Sequence, residues 1–202
     1  MYELTKINTT ELTVADADVI KKATGYDVTI PEHKVLFEET RGAVEYLKKH
    51  PDYMQLIQVT NIEQILSSNR VLTVTNVKNF AGLDFIQSLL IIAITDICNL
   101  FNVNKQLTYE QIQATVDCII DTAPLCYLTL ADIKLALKYL YMGKFGKIYD
   151  RIDANVILEA LTEYSKEREQ IALVYADKQH AQTKKYRSNR VGEVSIKQLL
   201  NR

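Results

Sequence analysis

The stretch from Phe80 to Phe101 constrains the fold of this chain more than any other, because its apolar residues leave almost no polar face. It is long enough to raise the question of a membrane. Yet Asp84, Gln87, Ser88, Thr95, Asp96 and Asn99 interrupt it, and its longest unbroken apolar run is Leu89 to Ile94. A bilayer demands roughly 20 such residues. The stretch is therefore expected to be one core helix, and a helix apolar on nearly every face between Phe85 and Phe101 has to be surrounded by others. Only six glycines and three prolines punctuate the 202 residues, too few for an all-β design. The expected fold class is all-α: a single helical bundle around a central apolar helix, with a basic C-terminal tail. A chain of this length buries such a core without metals or disulfides.

Start and stop signals divide the remainder. Residues Tyr2 to Thr13 alternate weakly and suggest an extended segment. Thr13 and Asp16 form the pattern of a capping box, and Gly25 closes the short helix it opens. Pro31 suits a first helical position, and the helix it begins must stop before Pro51. Between Tyr53 and Leu66 the apolar spacing fits one helix or two short ones. The β-branched run Arg70 to Thr75 suggests an extended connector. Thr108 with Gln111, and Thr129 with Asp132, are two further capping boxes. Gly143 is placed to end the helix that Thr129 opens, and Asp150 or Asp153 to cap the last one. In that last helix Ile157, Leu161, Tyr164, Ile171 and Tyr175 form a heptad-like seam in which Arg168 replaces an apolar residue. Such an arginine belongs beside a carboxylate or a partner. Three regions are expected: 1–76, helical with short extended pieces; 77–178, the helical core; and 179–202, the tail.

Charge is unevenly spread. Over residues 177–202 seven basic residues face Asp177 and Glu193 alone, while the whole chain carries a formal charge of −1. The body is acidic and the tail basic, which suits either a solvated extension or contact with nucleic acid or an acidic partner. Within the tail, Ile196, Leu199 and Leu200 recur at i, i+3 and i+4, the spacing of an amphipathic motif that docks in a groove of another subunit. A frayed end is the competing reading. Cys98, Cys118 and Cys126 lie among apolar neighbours and are expected to be reduced core thiols. They and the three histidines show no metal-ligand spacing, so no cofactor is expected. The first residues, Met1 to Thr5, carry no basic and apolar leader, so no secretory signal is expected.

No catalytic constellation stands out. Gly143-Lys144-Phe145-Gly146-Lys147 superficially suggests a phosphate cradle, but a helix precedes it where a P-loop has a strand, and Ile148 follows Lys147 where Ser or Thr is needed. Lys144, Lys147 and Arg151, interleaved with Phe145 and Tyr149, fit contact with an acidic surface or a phosphate backbone, or simply a solvated turn. The chain is expected not to be an enzyme.

A series of landmarks narrows the field: Leu100-Phe101-Asn102-Val103, Leu107 to Ile112, Tyr127 to Ile133, Gly143 to Asp153, Ile157 to Tyr164, and Glu167-Arg168. Together they resemble a family of uncharacterised proteins from Bacteroidetes genomes and their phages and mobile elements. The likeness covers under half of the chain and brings no activity with it. Relatives often carry an aromatic residue where this chain has Ala160-Leu161. The resemblance implies a phage or prophage protein, located in the virion or the host cytoplasm. With the tail, it leads to the expectation of a virion structural component such as a head–tail connector or ring subunit. Its partners would be other subunits, in a homo-oligomeric ring or as virion neighbours, with no membrane. The alternative is a replication accessory protein of the helicase-loader type that touches DNA. The residues expected to meet a partner or nucleic acid are Lys144, Lys147, Tyr149, Arg151, Lys184, Lys185, Arg187, Arg190, Ile196, Leu199 and Leu200.

Overall fold

Helix start signals are honoured almost everywhere in the computed structural model. It describes residues 4, 13–50, 52–68, 72–101, 103, 105–146, 148 and 151–200, without the side chains of 14, 56 and 182–200. Among these there are nine α-helices and no strand: α1 (Val14–Thr24), α2 (Pro31–Lys49), α3 (Tyr53–Leu56), α4 (Ile62–Ser67), α5 (Val74–Ala81), α6 (Leu83–Leu100), α7 (Tyr109–Asp121), α8 (Leu130–Tyr141) and α9 (Ala154–Leu200). The three expected capping boxes form at Thr13, Thr108 and Thr129. At α9 the cap is Asp153, whose Oδ1 accepts from the Val156 amide at 3.1 Å. The expected extended segment Tyr2 to Thr13 lies, apart from residues 4 and 13, outside the described residues.

Two boundaries differ from expectation. Phe80 to Phe101 is not one helix, because Gly82 divides it at φ 98, ψ 164. That region of backbone space is essentially open to glycine alone. Periodicity could not reveal the break, since Phe80 and Ala81 are as apolar as the helix beyond Gly82. The expected connector Arg70 to Thr75 ends earlier than expected: Arg70 and Val71 lie outside the described residues, Thr73 is extended and caps α5, and α5 begins at Val74. Thr73 pairs with Thr129, so that the caps of α5 and α8 stand side by side. Val74 donates to the Leu128 carbonyl and Leu130 to that of Leu72, each at 3.0 Å.

Helix α6 is the apolar centre, packed by α5, α7 and α8. Ile86, Leu89, Leu90, Ile94, Ile97 and Cys98 are buried there. Phe80 stacks on Phe37 of α2 with ring centroids 5.2 Å apart. The cover is incomplete: Ile92 and Leu100 remain 45% and 59% exposed. Among the described residues α6 alone is long and apolar enough to cross a membrane, a property that core helices share. Helix α9 packs on α4, α7 and α8, then continues as helix through the segment read as a tail. The helix thus runs on past the pattern break near Gln179, and residues 176–181 are exposed.

Because a Cβ at Gly82 would meet no atom within 4 Å, its cost is conformational rather than steric. Gly82→Ala is expected to destabilise by about 1–3 kcal/mol. It should lower the urea midpoint without changing the slope.

Candidate functional site

Polar side chains converge where α9 crosses α8. Asp132, the third residue of α8, is fully buried. Its Oδ2 accepts from the Thr129 amide at 2.9 Å and the Thr129 hydroxyl at 2.8 Å, the ordinary work of a capping box. Its Oδ1 accepts from Tyr164 Oη and Arg168 Nε, both at 2.8 Å. Tyr164 and Arg168 are four residues apart on α9, so one helical turn delivers both donors to one oxygen. Arg168, the break in the apolar seam, therefore has its carboxylate. Burial, then the Asp132 charge and hydrogen bond, push the Tyr164 phenol far above its ordinary range, so it stays a donor. A carboxylate has about four lone-pair sites, and all are used internally. The cluster is a joint that ties α9 to the start of α8.

The glycine turn lies beside this joint. The Gly143 amide donates to Leu140 and that of Lys144 to Tyr139, each at 3.0 Å, while Gly143 takes φ 79. This is the Schellman ending of α8. The Gly146 amide is also occupied, by the Gly143 carbonyl at 3.2 Å. A phosphate cradle needs free amides pointing at the anion, and these three are spent on carbonyls.

Two of the four expected contact residues of the turn, Lys144 and Arg151, are described. Lys144 Nζ lies 2.7 Å from Glu167 Oε2 and 4.1 Å from the centre of the Tyr139 ring, so its charge is met within the fold. Arg151 is highly exposed and its Nε sits 3.3 Å from Asp153 Oδ2. Exposed pairs of this kind contribute little, and Arg151 is readily redirected to another anion. Lys147 and Tyr149 lie outside the described residues. Lys184, Lys185, Arg187, Arg190, Ile196, Leu199 and Leu200 fall on the backbone of α9 beyond its packed half.

A groove that sequence reasoning missed runs between α6 and α8, with a volume of about 390 Å³. Helix α6 contributes Ala93, Asp96, Ile97 and Leu100, and α8 contributes Lys134, Leu137, Lys138 and Tyr141, with Met54 at one end. Lys134 closes that end by donating to the Met54 and Gln55 carbonyls at 2.5 and 2.8 Å. Burial holds its ammonium below the usual lysine range. Lys138 and Asp96 make no ion pair among the described residues. The available signal was a helix apolar all round in a chain with too few neighbours to cover it.

The cysteines need one correction. Cys98 is buried, and burial pushes its thiol up to about 11, but Cys126 is half-buried and Cys118 exposed, so they are not all core thiols. Cys118 falls on the outer face of α7, a polarity that its neighbours Ile119 and Ile120 conceal. Among the described residues no three His, Cys, Asp or Glu side chains are grouped to hold a metal. No protein-family model, curated protein or solved structure matches the chain.

Removing Arg168 strands a buried charge. Arg168→Met is expected to cost about 3–5 kcal/mol. The pair Asp132→Asn with Arg168→Met, which removes both charges and keeps an acceptor for Tyr164, should cost less than Arg168→Met alone. Denaturation of the single and double variants decides it. A double loss as large as the single would show that Arg168 does not act by offsetting the carboxylate.

Proposed function

We propose that this chain is a non-enzymatic assembly protein, a helical body that presents a long helical arm to a neighbouring subunit. The observation that carries the reading is the outer half of α9. The helix has 47 residues, about 70 Å at 1.5 Å per residue. Its first half is packed on the body, while residues 176–181 are all exposed. A lone helix in water is marginal, and most helical stability comes from packing an amphipathic face. An arm of this length is therefore best supported when another molecule covers it. Ile196, Leu199 and Leu200 offer the apolar spacing for that contact. The resemblance to proteins of Bacteroidetes phages and mobile elements supports a virion setting, with a head–tail connector or ring subunit as the particular role.

One observation favours a second reading. The arm carries Lys184, Lys185, Arg187 and Arg190 within sixteen residues of its end, a run of basic residues suited to a phosphate backbone and to a replication accessory protein.

Light scattering and DNA titration at two salt concentrations separate them. The assembly reading expects a higher-order species from the full chain. Deletion of Val191 to Arg202 should leave the helical content of the body intact and abolish association. A protein monomeric at every concentration, whose DNA affinity falls steeply with salt, would overturn it in favour of the replication role.

A further inference from the structure

We infer that the groove between α6 and α8 is the receptor for the C-terminal end of α9 from a second copy of this chain, so that the protein associates head to tail. The inference rests on the assembly reading and names the surface that such assembly uses.

The groove has the form that an amphipathic helix occupies. Its floor is apolar, with Ala93, Ile97 and Leu137, and its flanks are two helices. Leu100 and Tyr141 stand more than half exposed along it, 59% and 51%. Large apolar residues left open on both walls lose contact with water when a helix inserts. Ala93 is small, which lets a guest backbone approach the floor.

The chain itself carries a matching guest. Ile196, Leu199 and Leu200 form an i, i+3, i+4 set, and Gly192 lies four residues before Ile196. Glu193, three residues before Ile196, is the only carboxylate side chain in residues 178–202. It borders the apolar stripe on the helix. The exposed Lys138 on the α8 wall, without an ion pair among the described residues, is its complement. The rest of the arm is basic, and the body that receives it is acidic overall, which favours encounter of arm with body.

Geometry assigns the guest to another copy. Arg168 is fixed on Asp132 at the start of α8. Helix α8 has 12 residues and is about 18 Å long, whereas Ile196 lies 28 residues beyond Arg168, about 42 Å along a continuous helix. The end of α9 overshoots its own groove by roughly 20 Å or more. The residues of α8 that meet α9, Asp132 and Tyr139, also lie on a different face from Lys134, Lys138 and Tyr141 in the groove. Groove and guest are different surfaces, so their contact is heterologous and propagates into a ring or a filament.

Complementation between full-length variants tests this. Ala93→Trp fills the groove, and Leu199→Asp with Leu200→Asp spoils the guest. Each alone is expected to be monomeric by light scattering, with helical content unchanged by circular dichroism. Mixed, they should form a dimer and nothing larger, because one retains a sound groove and the other a sound arm. A charge exchange provides a check without touching apolar packing. Lys138→Glu and Glu193→Lys should each weaken self-association about two- to fivefold, as rim charges do, and the double variant should restore it. If the wild type assembles but Ala93→Trp assembles equally well and the exchange restores nothing, the groove is overturned while the assembly reading stands. A wild type monomeric at every concentration overturns both.

Discussion

Asp132 is the constraint on which the rest of the structure depends. One buried carboxylate ends the capping box of α8 and receives both Tyr164 and Arg168 from α9. A buried ion pair is weak evidence for net stability, since an apolar pair of similar volume often does as well. What it supplies here is register. Sliding α9 by one residue shifts it 1.5 Å and rotates its donors by about 100°, carrying both off the carboxylate and leaving the charge unmet. The adjoining contacts repeat the constraint. Tyr139 packs near Tyr164, Lys144 lies over Tyr139, and Lys144 returns to Glu167 on α9.

Register at the joint governs what happens far from it. Along its packed half α9 is held by the contacts around Tyr164 and Arg168 and by α4 and α7, which also pack on it. A helix is stiff along its axis, and a small rotation at the joint becomes a large displacement at Leu200. The polar network therefore belongs to the same device as the arm. Apolar packing alone tolerates alternative rotamers and small slips; a saturated carboxylate does not.

How much of this was legible in the sequence depends on whether the cause was local. Caps were, because Thr13, Thr108 and Thr129 each act on an amide three residues away. Arg168 was half legible: an arginine in an apolar seam requires an anion, but nothing local says that the anion is the Asp132 carboxylate in the capping box of another helix. Gly82 was missed because its apolar neighbours continue the pattern across it, and the signature of the break is a dihedral angle rather than a composition. The groove was illegible for a stronger reason. Leu100, Tyr141 and Ala93 look like core residues in sequence, and only the failure of any other helix to cover them makes a surface. For the turn, the sequence displayed the charges of Lys144 and Arg151 but not that the fold sets Glu167 and Asp153 against them.

The uneven charge gains meaning from the same geometry. A basic helix repels a second basic helix, so arms are disfavoured from pairing side by side in the manner of a coiled coil. Lys178 and Lys185 fall on the heptad continuation of the seam, where apolar residues would be needed for such pairing. An acidic body attracts what another arm repels. The chain thus combines a local obstacle to symmetric arm-to-arm dimers with an incentive for arm-to-body contact, and specificity of this kind needs both the attraction and the obstacle. In the proposed head-to-tail contact, closure into a ring would be fixed by the angle between arm and groove, which the joint at Asp132 helps to set.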